Sequence, residues 1–146
     1  GKRLGAEARG APGTIAKGGN AIERFAARIG VTLTANDSSG LSYRNRVSPR
    51  GMTKLLGYVE KTAPWYQTLR HGLATGGQGT LASRLHGVPI RAKTGSLSGV
   101  SALSGWIYLR QTKSWAEFSI LSRGTAYYSA KYLEDAIVRV ITRLAR

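Results

Sequence analysis

Lys93, Thr94, Gly95 and Ser96 are the run of this sequence whose residue types best suit chemistry on a substrate. They follow Val88, Ile90 and Ala92, whose alternation predicts a strand. Side chains two apart on a strand share a face, so the Thr94 and Ser96 hydroxyls point together and offer a place for a carboxylate. Lys93 adds a cation beside them. Gly95 has no side chain to hold off a peptide backbone that pairs with the strand. On its own the run is short enough to occur by chance in a basic protein, where it would be a surface lysine beside a turn.

The other chemically suggestive residues carry less. His71 and His86 are the only histidines and have no acidic pair near them in sequence, so a metal site or a Ser-His-Asp triad lacks support. Both are expected on the surface or in loops. Gly76, Gly77 and Gly79 suggest a phosphate loop, but the Lys-Thr pair follows Ala92 rather than a glycine, so a flexible loop is the better reading. Thr14 to Lys17 spells Thr-x-x-Lys and reads as the start of a helix rather than as a nucleophile. The absence of cysteine excludes disulfides, thiolate metal sites and a Cys nucleophile. Trp65, Tyr66, Trp106, Tyr108 and Trp115 lie in apolar patterns and are expected in the core rather than as platforms for nucleic-acid bases. No metal and no cofactor is expected.

The elements that must position the Lys93 run follow from periodicity. Residues 2–9 are good helix formers with no cap before them, which predicts the end of a helix begun upstream and hence a cut chain. Ile15, Ile22, Phe25, Ala26 and Ile29 have helical spacing closed by Gly30, although Gly18 and Gly19 weaken the first turn. Residues 31–35 alternate as a short strand, and residues 36–45 form a turn-rich loop. Ser48 before Pro49 predicts an N-cap, with Met52, Leu55, Leu56 and Val59 as the apolar face of the helix that follows. Pro64 starts a short helix around Trp65, Tyr66 and Leu69, followed by a loose stretch over 72–79. One or two helical turns are expected over 80–86. Residues 100–109 and 115–121 are strands joined by a turn of hairpin length. From Ser129, the spacing of Tyr132, Leu133, Ala136, Ile137, Val140, Ile141 and Leu144 predicts a long helix packed on the sheet, with Arg139, Arg143 and Arg146 towards its C-terminus. The fold class is α+β: helices, an antiparallel three-stranded meander, and a covering helix.

The chain has 146 residues, 42% hydrophobic and 20% charged, enough for one globular unit with a real core. It holds no run of about eighteen apolar residues and no signal-peptide layout at its start. Lys and Arg number 22 against seven acids, a net charge of +15, which suggests an anionic partner such as nucleic acid, wall polymer or lipid headgroup. The basic residues are scattered, however, as they are on a surface that merely keeps a protein soluble.

Context gives the Lys93 run its meaning. Residues 79–84 (Gly-Thr-Leu-Ala-Ser-Arg) precede it and residues 98–105 (Ser-Gly-Val-Ser-Ala-Leu-Ser-Gly) follow it. With these flanks the chain resembles the low-molecular-mass class C penicillin-binding proteins, the D-alanyl-D-alanine carboxypeptidases with endopeptidase activity (peptidase family S13), in which Lys-Thr-Gly is the third signature element. The run Asp37 to Ser42, with Asn45, Arg46 and Val47, resembles that family's Asp-Gly-Ser-Gly-Leu-Ser loop, with Ser38 in place of a glycine. Ala63, Pro64 and Trp65, and Phe118, Ser119 and Ile120, match as well.

The resemblance implies that residues 1–146 are the C-terminal portion of one transpeptidase-like domain akin to serine β-lactamases. It assigns Lys93 to orienting substrate and assisting the proton network, and the Thr94 and Ser96 hydroxyls to the terminal D-Ala carboxylate. It makes the Ser96 amide an oxyanion donor and sets Gly95 and Leu97 against the substrate peptide. The family's Ser-x-x-Lys and Ser-x-Asn elements do not occur in this sequence. They are expected on an upstream segment of the same protein, without which this chain is expected not to acylate. The implied partners are the D-Ala-D-Ala stem peptide of peptidoglycan and β-lactams, with peripheral membrane or wall-polymer contact open and nucleic acid not expected. The implied location is extracytoplasmic. A non-catalytic basic module that binds an anionic polymer is the competing reading.

Overall fold

A computed structural model describes residues 1–144, so the expectation for Arg146 lies outside the described residues. The chain forms two compact units, one of Gly1–Leu55 and one from Leu56 onward.

In the first unit, α1 (Lys2–Arg9) packs on α2 (Ile15–Arg28). Glycines set that approach: a Cβ on Gly5 would lie 2.7 Å from the Gly18 amide nitrogen. A Cβ on Gly19 would lie 2.1 Å from the Ala35 carbonyl. The residues that weaken the helix as a sequence are therefore the ones its neighbours require. Thr14 caps α2, its hydroxyl accepting from the Lys17 amide at 3.1 Å, and the Lys17 ammonium donates to the Gly10 and Pro12 carbonyls. Thr14 and Lys17 thus serve the start of a helix. At the other end Gly30 (φ +68°) donates to the Ala27 carbonyl and Val31 to that of Ala26, a Schellman closure.

The strand read over 31–35 shrinks to β1 (Leu33–Thr34), which pairs with β2 (Arg46–Val47), a strand with no signal of its own in the sequence. Between them Asp37 organises the loop. Its carboxylate accepts from the Ser39 hydroxyl, the Gly40 and Ser42 amides and the Asn45 side chain at 2.8–3.1 Å. The bond from Asn45, then that from Ser39, lowers its pKa to about 2. Ser48 then caps α3 (Pro49–Thr62) by accepting from the Gly51 amide.

In the second unit, α4 (Tyr66–Gly72) and a 3₁₀ turn (Gly79–Leu81) lead to β3 (Ile90–Leu97), β4 (Val100–Leu109) and β5 (Ser114–Arg123). These form the expected antiparallel sheet, β3-β4-β5, covered on one face by α5 (Tyr127–Leu144). Leu81, Leu85, Ile90, Ala92, Leu103, Ile107, Phe118 and Val138 form the core. On the opposite face Trp106 is fully buried, donates to Glu60 at 2.9 Å and meets Tyr66 edge-on. Arg70 stacks over the Trp115 ring at 4.4 Å.

Four expectations need correction. The stretch over 72–79 is not loose: Ala74 bridges to Ala92, and the Gly77 amide donates towards the Leu81 and Arg84 carbonyls. The turns expected over 80–86 reduce to the single 3₁₀ turn. Trp65 is 54% exposed, while its neighbour Tyr66 fills the core side. On α5 the inward face is Ala130, Lys131, Glu134 and Val138, and Tyr132, Leu133, Val140 and Leu144 are exposed. Two charges are buried there because β4 and Arg84 supply their partners, so apolarity did not decide the helix phase.

Two predictions follow from this packing. A Cβ on Gly105 would sit 2.1 Å from the Arg91 carbonyl, so Gly105→Ala should force β3 and β4 apart and lower stability by about 1–3 kcal/mol in urea denaturation. Gly72→Ala, with open space around it, should change little. For Asp37 the folded pKa lies below the ordinary 3.8, so its stabilising effect is complete above that value and is lost as pH falls through about 2. NMR titration should give a carboxyl midpoint near 2 and show the Gly40 and Ser42 amides titrating with it.

Candidate active site

The five candidate residues are the last five of β3, at the end of the sheet where β3 turns into β4. The turn is as short as a hairpin allows: Leu97 pairs with Val100 across Ser98 and Gly99, and Gly99 takes φ +66°. The register then places Lys93 opposite Ser104, Thr94 opposite Leu103, Gly95 opposite Ala102 and Ser96 opposite Ser101.

β3 is an edge strand, and the direction of its backbone groups follows from one bond. The Ala92 amide donates away from β4, to the Ala74 carbonyl at 2.9 Å. In an antiparallel ladder each residue turns both its N–H and its C=O to one side, and successive residues alternate. The amides of Thr94 and Ser96 therefore face the open edge with that of Ala92, while Lys93, Gly95 and Leu97 are paired into β4. Past Ala92 no strand among the described residues pairs this edge.

The side chains alternate in the other sense. Lys93 lies on the sheet face that carries Trp106, beside the hydroxyl pair Ser104 and Ser119, 2.8 Å apart. It is exposed, donates to the Thr94 carbonyl at 2.7 Å, and pairs with no carboxylate among the described residues. Thr94 and Ser96 lie on the α5 face, half-buried and exposed respectively. Gly95 is closely backed: a Cβ there would approach that of Ala102 to 3.2 Å. Ser96 and Leu97 open onto a cleft of about 660 Å³ whose other wall is Gly124 to Tyr127. That wall is fastened to the hairpin by the Gly124 amide, which donates to the Gly99 carbonyl at 2.8 Å.

Sequence reasoning missed a buried polar cluster beneath this strand. Lys131 on α5 is 8% exposed and Glu134 1%. The Lys131 ammonium lies 2.7 Å from the Ser101 hydroxyl, 3.4 Å from the Gly95 carbonyl and 3.6 Å from the Glu134 carboxylate. Ser101 in turn bonds Glu134, whose other oxygen accepts from Arg84 at 2.8 Å. Arg84 also grips Asp135, at 2.7 Å. Burial alone would draw the Arg84 pKa down, but the bonds to Asp135 and Glu134 prevail and raise it. Only Arg84, singled out as a flank of the Lys93 run, pointed in this direction.

The arrangement offers an extended peptide a strand edge with two outward amides, an exposed ammonium with no carboxylate partner among the described residues on one face, and two hydroxyls on the other. His71 and His86 are both exposed. No helix among the described residues is long and apolar enough to cross a membrane.

Comparison with known proteins finds relatives by sequence and by fold. The D-alanyl-D-alanine carboxypeptidase of Actinomadura sp. (strain R39) is 38% identical over 149 residues, covering 93% of this chain and 27% of that protein. Penicillin-binding protein 4 of Haemophilus influenzae, solved with a β-lactam, superposes with a TM-score of 0.75 over 98% of this chain and 35% of its own, at 24% identity. A class A β-lactamase from Bacteroides cellulosilyticus shares the fold at 13% identity, with a TM-score of 0.62 over 86% of this chain and 53% of its own. The chain thus spans about a quarter of the carboxypeptidase and a third of the penicillin-binding protein. Residues 1–144 match the profile of the D-Ala-D-Ala carboxypeptidase 3 (S13) family, and the chain belongs to that family.

Proposed function

We propose that β3 is the substrate-binding edge of a serine-type D-Ala-D-Ala carboxypeptidase and endopeptidase acting on peptidoglycan stem peptides. In this reading residues 1–146 are the C-terminal portion of one transpeptidase-like domain, placed outside the cytoplasm where peptidoglycan lies. The nucleophilic serine, in Ser-x-x-Lys, and the Ser-x-Asn element belong to another segment of the same protein.

The observation that carries this reading is the open edge at Lys93 to Leu97, with the Thr94 and Ser96 amides turned outward. A stem peptide laid along it as an added strand would be held by ladder bonds, with its terminal carboxylate by the Thr94 and Ser96 hydroxyls and the Lys93 charge. Leu97 would flank its side-chain pocket. The serine oxygen would attack the penultimate D-Ala carbonyl carbon and give its proton to the network Lys93 assists, while the carbonyl oxygen takes the displaced electron pair and becomes the oxyanion that the Ser96 amide would receive. Collapse of the intermediate breaks the peptide bond, and the departing D-Ala amine takes a proton from the network Lys93 assists. Water then hydrolyses the acyl-enzyme. A β-lactam would follow the same first step, its ring amide being the bond that breaks.

A specific observation favours a second reading, binding of an anionic wall polymer. A cleft of about 260 Å³ is lined by His86, Tyr108, Arg110, Arg139 and Arg143 with no carboxylate among its lining residues. Polymer retention that collapses with salt and is indifferent to Lys93→Ala would support it.

The enzyme reading is tested by labelling the full-length protein with a fluorescent penicillin. Labelling is expected, and Lys93→Ala should slow it by about 10- to 100-fold, the loss of a charge-assisted bond of about 1.5–3 kcal/mol. Failure of the unaltered protein to label would sink the assignment.

A further inference from the structure

Lys131, Glu134 and Arg84 do more than fasten α5 to the sheet. The carboxylate of Glu134 already receives Arg84 at 2.8 Å and the Ser101 hydroxyl. The Lys131 ammonium is seated on the Ser101 hydroxyl at 2.7 Å, and from there it lies 3.4 Å from the Gly95 backbone carbonyl and 3.6 Å from the Glu134 carboxylate. Ser101 is the register partner of Ser96. The carbonyl of Gly95 and the amide of Ser96 are the two ends of one peptide unit, and the ladder turns them to opposite sides, the carbonyl towards β4 and the N–H to the open edge.

We propose that Lys131 is a positioning residue that polarises the Gly95–Ser96 peptide and fixes its plane, strengthening the Ser96 N–H as an oxyanion donor. A cation at the oxygen of an amide draws electron density from its nitrogen and makes the N–H a better donor, the cooperative strengthening of linked hydrogen bonds in a low-dielectric site. Burial keeps the charge unscreened by water, and Ser101 and Glu134 hold it in place. Lys131 touches no substrate in this scheme and acts through the backbone. The inference rests on the assignment of the Ser96 amide to the oxyanion.

The test uses the full-length protein with Lys131→Met, which keeps chain length and removes the charge, and Lys131→Arg. Penicillin G acylation is followed in time, and the ester carbonyl stretch of the acyl-enzyme is read by infrared difference spectroscopy. Lys131→Met should lower the limiting acylation rate about tenfold, a fraction of the hundredfold or more that follows loss of a whole oxyanion donor. It should also move the carbonyl stretch to higher wavenumber, and Lys131→Arg should restore most of both. A merely structural anchor would change the melting temperature and leave the stretch in place. Acylation within twofold of the unaltered protein with an unmoved stretch overturns the proposal. Should Lys131→Met not fold, Lys131→Gln removes the charge and keeps a polar donor for the Ser101 hydroxyl, and an unmoved stretch there overturns it equally. An unaltered protein that forms no acyl-enzyme overturns the functional reading first, and this inference with it.

Discussion

β3 is paired on one side only beyond Ala92, and the alternation of an antiparallel ladder decides what that leaves available. The Ala74 carbonyl takes the Ala92 amide, which fixes the phase of every later residue on the strand. Had the register with β4 slipped by one, Lys93 and Gly95 would face the open edge and the Ser96 amide would be used within the sheet. Three features make such a slip costly: Ile90 and Ile107 meet in the core, Gly105 leaves room for the Arg91 carbonyl where any side chain would collide, and the two-residue turn at Ser98 and Gly99 admits one pairing.

Much of this was legible in the sequence because strands and caps have local causes. The alternation of Val88, Ile90 and Ala92 placed the Lys93 run on a strand, and Ser48-Pro49 and Gly30 marked helix ends by backbone chemistry. What escaped had non-local causes. β2 is two residues long and forms only because β1 lies opposite, so it has no period to read. The glycines at 18 and 19 looked like helix weakness until Gly1 and Ala35 were seen against them. The ordered stretch over 72–79 owes its conformation to Ala92, Leu81 and Arg84, all further along the chain.

The phase of α5 shows the same limit most clearly. Apolar residues occur almost all round it, so periodicity alone leaves several inward faces open. The observed face includes Lys131 and Glu134, which only become tolerable in the interior when Arg84 and Ser101, 50 and 33 residues from Glu134, complete their hydrogen bonds. The candidate site was thus readable as a strand, whereas the support beneath it was readable only once the strand and the helix were brought together.

The open edge at Lys93 has a second consequence, in solubility. A strand edge able to accept a peptide can accept any extended chain, including another copy of itself, and long apolar edges of this kind seed aggregates. Here the free length is five residues, interrupted by Gly95 and guarded by the exposed ammonium of Lys93. The lysine that would draw in an anionic peptide terminus under the proposed function would also turn away neutral strands, so removing its charge would take away a gatekeeper as well as the proposed ligand. Self-association that rises with protein concentration is therefore the behaviour to separate from lost catalysis in any variant at this position.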